Sequence, residues 1–137
     1  MKIKRVIHIG VMAHNVTQVK ALYQGLLELP IGHEELYEGS VDICFLPVGD
    51  SSIEIFADNP NSGKGIVAEM IREQGGEGIH HIAFEVDDIE DAVKELKAKN
   101  VPIRDGDPTP GASGTMIAFL DPSITNGVLI ELVQDKS

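Results

Sequence analysis

Apolar and polar residues alternate along two separate stretches of the chain, and such alternation is typical of a β-strand with one buried face. The first stretch spans residues 6–12 and the second spans residues 79–86. Each stretch is followed by a residue that can cap a helix, Asn15 or Asp88, and then by apolar residues at helical spacing. The pattern therefore predicts a strand followed by a helix at two places.

Two or three short strands are predicted after each helix, because short apolar runs there are bounded by turn residues. These strands lie around residues 35–37, 41–47 and 52–56 in the first half, and around 102–104, 115–120 and 128–133 in the second. Between the halves, apolar spacing predicts one short helix over about residues 65–74. Each half therefore has the predicted order β-α-β-β-β.

Short sequence matches recur in the same order in both halves, which indicates two copies of one structural unit. His8-Ile9 corresponds to His81-Ile82. Three later segments also correspond: 29–31 with 101–103, 44–46 with 118–120, and 53–55 with 130–132. We therefore expect a single domain over residues 1–137, with module one at about 1–58, a linker helix within 59–77 and module two at 78–137.

Two histidines and two glutamates occupy equivalent positions in the two copies. Strand alternation places His8 and His81 on the face that does not carry the large aliphatic side chains. Glu54 and Glu131 each stand between two aliphatic residues. Taken singly, each of these residues would more often be structural or solvent-facing, but their pairing favours a common site. Imidazole and carboxylate suit a divalent first-row metal such as Zn, Co, Ni, Mn or Fe(II).

Three other residues with reactive side chains lack this pairing. The repeat pairs His8 with His81 and not with the adjacent His80, for which we expect a structural role. Cys44 lies in an apolar strand and is interpreted as a small buried hydrophobic residue. By composition alone, Glu38 is interpreted as a surface residue at a turn.

Composition and charge narrow the classes of partner. Acidic residues outnumber basic residues 22 to 11, and the net charge of -11 disfavours binding to nucleic acid or to an anionic membrane surface. Hydrophobic residues make up 42% of the chain, so a core can form, and no apolar run has the length of a membrane helix. The single cysteine excludes an internal disulfide framework. We expect an untargeted cytoplasmic protein that binds a small molecule.

The chain resembles the methylmalonyl-CoA epimerase family of the vicinal oxygen chelate (glyoxalase/bleomycin resistance/dioxygenase) superfamily. The most specific matching stretch is residues 76–87, Gly-Glu-Gly-Ile-His-His-Ile-Ala-Phe-Glu-Val-Asp. Further matches lie at residues 8–11, 45–50, 110–112, 118–120 and 127–132. The resemblance implies an α+β fold in which two tandem βαβββ modules form a curved, barrel-like mixed sheet around a metal site.

The resemblance also implies roles for individual residues. It implies metal ligands at His8, His81 and Glu131, and it places Glu54 at the fourth ligand position. It makes Glu38 a catalytic base. Glu131 is our candidate for the second acid–base group, with Glu54 as the reserve. The implied cofactor is a divalent metal, with Co²⁺ first and Zn²⁺, Mn²⁺ or Ni²⁺ as alternatives. The resemblance also implies an acyl-CoA substrate and a second copy of the chain as partners, so that the protein forms a homodimer.

The implied reaction interconverts the 2R and 2S forms of methylmalonyl-CoA by proton transfer at C2 through a metal-stabilised enolate. The chain departs from the family pattern at Asp121, Ser123 and Asn126, where the family frequently has His, Lys and Gly. These departures bear on the substrate and leave the ligand positions unchanged. The alternatives are a glyoxalase I-type lyase or isomerase acting on a thiol adduct, and a non-catalytic binding protein of the same superfamily.

Overall fold

A computed structural model describes residues 1–135, which form eight strands and three α-helices. The strands are β1 (Ile3–Met12), β2 (Glu34–Tyr37), β3 (Val41–Val48), β4 (Ser51–Asp58), β5 (Gly78–Val86), β6 (Thr109–Pro110), β7 (Met116–Phe119) and β8 (Ile130–Gln134). The helices are α1 (Val16–Lys20), α2 (Ile66–Gln74) and α3 (Ile89–Ala98). Within residues 1–135, no helix is both long and apolar enough to cross a membrane.

Both predicted helix caps are confirmed. The Asn15 side chain accepts a hydrogen bond from the Gln18 N–H at 3.2 Å, and the Asp88 side chain accepts one from the Asp91 N–H at 3.1 Å. Each cap satisfies one of the backbone donors that a helix N-terminus leaves without an intrahelical partner. Both helices therefore begin at the positions that the sequence predicts.

The first helix changes its hydrogen bonding after Lys20. Residues Ala21–Leu26 form a π-helical segment, in which the Leu27 N–H donates to the carbonyl of Leu22, five residues back, at 3.0 Å. Apolar spacing alone predicts an ordinary helix here, and it does not distinguish the wider π turn from an α turn.

The chain forms two compact units, and the boundary between them passes through β1 and β5. The central unit comprises residues 9–80, and the terminal unit comprises residues 1–8 together with residues 81–135. The strand order is β2-β3-β4-β1 in the central unit and β1-β5-β8-β7-β6 in the terminal unit. Strand β5 pairs with β8 in parallel, whereas β7 pairs with β8 antiparallel. The assignment of a single domain with module limits near 58 and 78 stays a prediction.

Each unit packs the apolar face of its strands against its own helix. In the central unit, buried Leu46 and Ile55 pack with Val16 and Val19 of α1. In the terminal unit, one cluster of buried apolar residues comprises Val86, Ile89, Ala92, Val93, Leu96, Ala118 and Leu132. Because strand side chains alternate between faces, the opposite face of the same strands is left for the polar candidate residues.

The strand predicted around residues 102–104 is wrong in extent. Ile103 forms only a single bridge with Leu120, whereas the two-residue strand Thr109–Pro110 pairs with β7. Pro102 has no N–H group to donate, so a regular ladder cannot extend through it.

Cys44 is a buried core residue, as predicted, with 1% of its surface exposed. Burial raises the pKa of the Cys44 thiol; the positive charge of Lys20 opposes this effect and the carboxylate of Glu34 adds to it. The thiol is therefore held in its protonated, unreactive form.

We expect Cys44 in the native protein to resist the thiol reagent DTNB at neutral pH and to react only on unfolding. Its contribution to stability should be present below the ordinary thiol pKa of about 8.5 and should be lost as the pH rises towards the higher folded-state value. The reason is that the unfolded chain releases the thiol proton first. Labelling kinetics and urea midpoints from neutral to alkaline pH measure both effects. In Cys44→Ala, the part of the stability loss at alkaline pH that is due to the thiol should be absent. Rapid labelling of the folded protein would contradict the expectation.

Candidate metal centre and active site

Three buried side chains converge in the terminal unit: His8 on β1, His81 on β5 and Glu131 on β8. The Nε2 atom of His8 lies 3.1 Å from Nε2 of His81. The Oε1 atom of Glu131 lies 2.9 Å from the His8 Nε2 and 3.7 Å from the His81 Nε2. The structure therefore brings together three of the four ligands predicted from the sequence.

The strand register explains how these side chains meet. Parallel pairing of β5 with β8 places Ala83 opposite Glu131, so the carboxylate shares a face with Ala83 and with His81, two residues earlier. Ala83 is fully buried, and its small side chain leaves space on this face. Antiparallel pairing of β7 with β8 places Phe119 opposite Glu131, and the Phe119 ring meets the His81 ring edge-on at 5.9 Å between centroids.

Glu54 holds the corresponding place in the central unit. It is buried on β4 and pairs in register with Phe45 on β3, just as Glu131 pairs with Phe119. The sequence repeat therefore extends to the register of the paired strands. The role of Glu54 as a fourth ligand stays a prediction.

The three donor atoms fit a divalent metal. The Oε1 atom of Glu131 is buried and accepts no hydrogen bond from residues 1–135, although two imidazole nitrogens lie beside it. A buried carboxylate oxygen without such a partner is destabilising. Metal bonds of about 2.0–2.2 Å to nitrogen and oxygen place neighbouring ligand atoms about 3.0–3.5 Å apart. The observed separations of 2.9, 3.1 and 3.7 Å lie close to that range.

His80 stands outside this group. Its ring meets the Phe56 ring at 5.4 Å between centroids, in an edge-on arrangement within the central unit. This contact agrees with the structural role expected for His80.

Glu38 is the first of the three residues, 38–40, that join β2 to β3. Both Glu38 and Gly39 have positive φ, 50° and 71°, and the Ser40 N–H donates to the carbonyl of Tyr37 at 3.1 Å. These φ values are those of a type I′ turn, for which Asn-Gly is a preferred pair. An L-residue such as Glu in this left-handed region is destabilised by about 1–2 kcal/mol.

Two residues beside the candidate metal-binding group, which consists of His8, His81 and Glu131, were not predicted from the sequence. The ring of Phe119 contacts His81, and the guanidinium carbon of Arg104 lies 5.3 Å from the centroid of that Phe119 ring. The repeat contains a signal for Phe119, whereas Arg104 is marked only by a difference between the two copies. Phe119 corresponds to Phe45, so an aromatic residue recurs, whereas Arg104 corresponds to Gly32, so the cation belongs to one copy alone.

Comparison with known proteins gives the family. Residues 7–119 match the model of the Glyoxalase/Bleomycin resistance protein/Dioxygenase superfamily. The mitochondrial methylmalonyl-CoA epimerase of Dictyostelium discoideum is 34% identical over 126 residues, which cover 91% of this chain and 75% of that protein. The chain belongs to the methylmalonyl-CoA epimerase family of this superfamily. The prediction of an enzyme of the epimerase type is therefore confirmed.

Two solved structures extend the family likeness to the fold. A hypothetical protein from Bacillus halodurans C-125 is 36% identical with a TM-score of 0.88, and the match covers 97% of this chain and 95% of that one. A methylmalonyl-CoA epimerase in complex with methylmalonyl-CoA and NH4+ is 26% identical with a TM-score of 0.86, covering 99% and 97%. The predicted α+β fold class of the superfamily is confirmed.

Proposed function

We propose that this chain is a metal-dependent epimerase that interconverts the 2R and 2S forms of methylmalonyl-CoA by moving the proton at C2. The observation that carries the proposal is the buried convergence of His8, His81 and Glu131 in a chain of this family. The substrate is supported by the solved relative that holds methylmalonyl-CoA.

The proposed ligands of the metal are His8, His81 and Glu131, with Glu54 as the fourth. Co²⁺ is the first candidate by family resemblance, and Zn²⁺, Mn²⁺ and Ni²⁺ are the alternatives. When bound, a divalent ion supplies a Lewis acid that stabilises the negative charge developing on the substrate oxygens as the C2 proton leaves. Glu54 is included because it is buried and has the strand register that Glu131 has in the other repeat.

Inversion at C2 requires a proton acceptor on one side of that carbon and a proton donor on the other. We assign one side to Glu38, whose side chain is exposed on a turn with a strained backbone. Its carboxylate takes the C2 proton, and the carboxyl group of Glu131 returns a proton to the opposite side. Glu54 is the reserve for this second role. In the reverse direction, the two groups exchange roles.

Deuterium exchange tests the proposed reaction. Metal-loaded protein incubated with one enantiomer of methylmalonyl-CoA in D2O should replace the C2 hydrogen with deuterium and produce the other enantiomer. Removal of the metal by a chelator should stop both processes. Isomerisation of a thiol adduct without C2 exchange would favour the glyoxalase alternative, and binding without either reaction would favour a binding protein.

We also propose that the chain forms a homodimer. Leu26 and Leu27, at the end of the first helical segment, are 78% and 57% exposed, and a second copy would cover such an apolar surface. Light scattering at micromolar concentration should give twice the mass of one chain, and Leu26→Glu should lower it. A monomeric wild-type protein under the same conditions would contradict the proposal.

A further inference from the structure

Arg104 is linked to the metal-binding group by one aromatic ring. Its guanidinium carbon lies 5.3 Å from the centroid of the Phe119 ring, and the same ring meets His81 at 5.9 Å. Phe119 is also the register partner of Glu131. This cation–π contact places the charge of Arg104 over the ring that also meets His81.

The repeat shows that the Arg104 side chain is not required for the local backbone contact. The Arg104 N–H donates to the carbonyl of Phe119 at 2.8 Å, and the Gly32 N–H donates to the carbonyl of Phe45 at 2.8 Å. These positions are equivalent, because residues 29–31 correspond to residues 101–103. Glycine makes the same backbone hydrogen bond in the first copy. The backbone contact therefore does not explain why the second copy has an arginine at this position.

The charges around Arg104 leave its guanidinium available to a ligand. The side chain is exposed and forms no ion pair within residues 1–135, although the chain has 22 acidic residues. The pKa of the nearby Asp121 carboxyl is lowered chiefly by hydrogen bonds from Ser123, and the charge of Arg104 is a lesser cause. Asp121 therefore lies close enough to Arg104 for its pKa to be affected, but the two side chains form no ion pair.

We propose that Arg104 binds an anionic group of the substrate. The group is either the carboxylate of the acyl portion or a phosphate of CoA, since both offer oxygens to the guanidinium fork. The assignment rests on the acyl-CoA substrate proposed above and adds the residue that recognises its negative charge.

Calorimetric titration of the metal-loaded protein with three ligands separates the two anions. Malonyl-CoA carries both the carboxylate and the phosphates, malonyl-pantetheine carries only the carboxylate, and propionyl-CoA carries only the phosphates. None of the three has a stereocentre at C2, so the measured Kd does not depend on epimerisation.

Arg104→Gln should raise the Kd for malonyl-CoA about tenfold, as expected when a charge-assisted hydrogen bond is lost. A similar rise with malonyl-pantetheine alone identifies the carboxylate, and a rise with propionyl-CoA alone identifies a phosphate. Arg104→Lys keeps the charge but not the planar fork, so its Kd should lie between that of the wild type and that of Arg104→Gln. Lys94→Gln, which removes an exposed charge from α3, is the matched control and should change each Kd by less than about twofold.

Metal content and the unfolding transition should be unchanged in Arg104→Gln, because glycine serves the backbone role at the equivalent position. If that variant does not fold, Arg104→Lys carries the same comparison. Equal Kd values for variant and wild type with all three ligands, or an equal loss in Lys94→Gln, would overturn the role of Arg104 alone. A wild-type protein that binds none of the ligands would overturn both this role and the proposed substrate.

Discussion

His81→Ala is expected to remove both the bound metal and turnover. The substitution deletes the Nε2 atom that lies 3.1 Å from the His8 Nε2 and 3.7 Å from the Glu131 Oε1. Mutation of a residue that only supports a ligand lowers metal affinity about 10- to 100-fold, so loss of a ligand itself should lower it by at least the upper end of that range. Elemental analysis of the purified variant and the C2 exchange assay measure the two losses.

His80→Ala is the matched control, because it removes the same side chain from the adjacent position of the same strand. His80 contacts Phe56 and lies outside the three-residue group. This variant should keep its metal and its turnover, with at most a modest loss of stability. Metal retention in His81→Ala, or an equal loss of metal in both variants, would contradict the ligand assignment.

The convergence of His8, His81 and Glu131 could be predicted from the sequence because two independent periodicities lead to it. Alternation along each strand assigns His8 and His81 to a face, and the repeat selects those two from the histidines of the chain. The register then completes the group, because Glu131 lies opposite Ala83 on the face that carries His81. Because the two copies share the same strand register, equivalent residues have equivalent neighbours across the strands.

The parts that could not be predicted depend on features that periodicity does not carry. Apolar spacing does not distinguish the π-helical Ala21–Leu26 from an α-helix, because both place apolar residues on one side. The role proposed for Arg104 depends on a contact with the Phe119 ring, which strand alternation does not reveal. Glu38 was a surface residue by composition, and its proposed role as a base came from family resemblance alone. The structure adds the positive φ at that position.

Glu38→Gln is expected to slow epimerisation by about 100- to 10,000-fold, the usual effect of losing a general base. Glutamine keeps the size and hydrogen bonding of the side chain but cannot accept the C2 proton. Metal content should stay near that of the wild type, because Glu38 lies in the turn between β2 and β3 and is not one of the proposed ligands. Solvent deuterium should then enter one enantiomer of the substrate much faster than the other, since only one of the two acid–base groups remains.

Glu38→Asn separates the chemistry of this residue from its backbone strain. Asn tolerates the left-handed conformation better than Glu, and Asn-Gly is a preferred pair in this turn, so the free energy of unfolding should rise by up to about 1 kcal/mol. Turnover should fall as in Glu38→Gln, because the carboxylate is lost in both. A stabilised but slow Asn variant would mean that the chain keeps a strained Glu for its carboxylate. If Glu38→Gln instead turns over at the wild-type rate, the base must be one of the carboxylates proposed as metal ligands, Glu131 or Glu54.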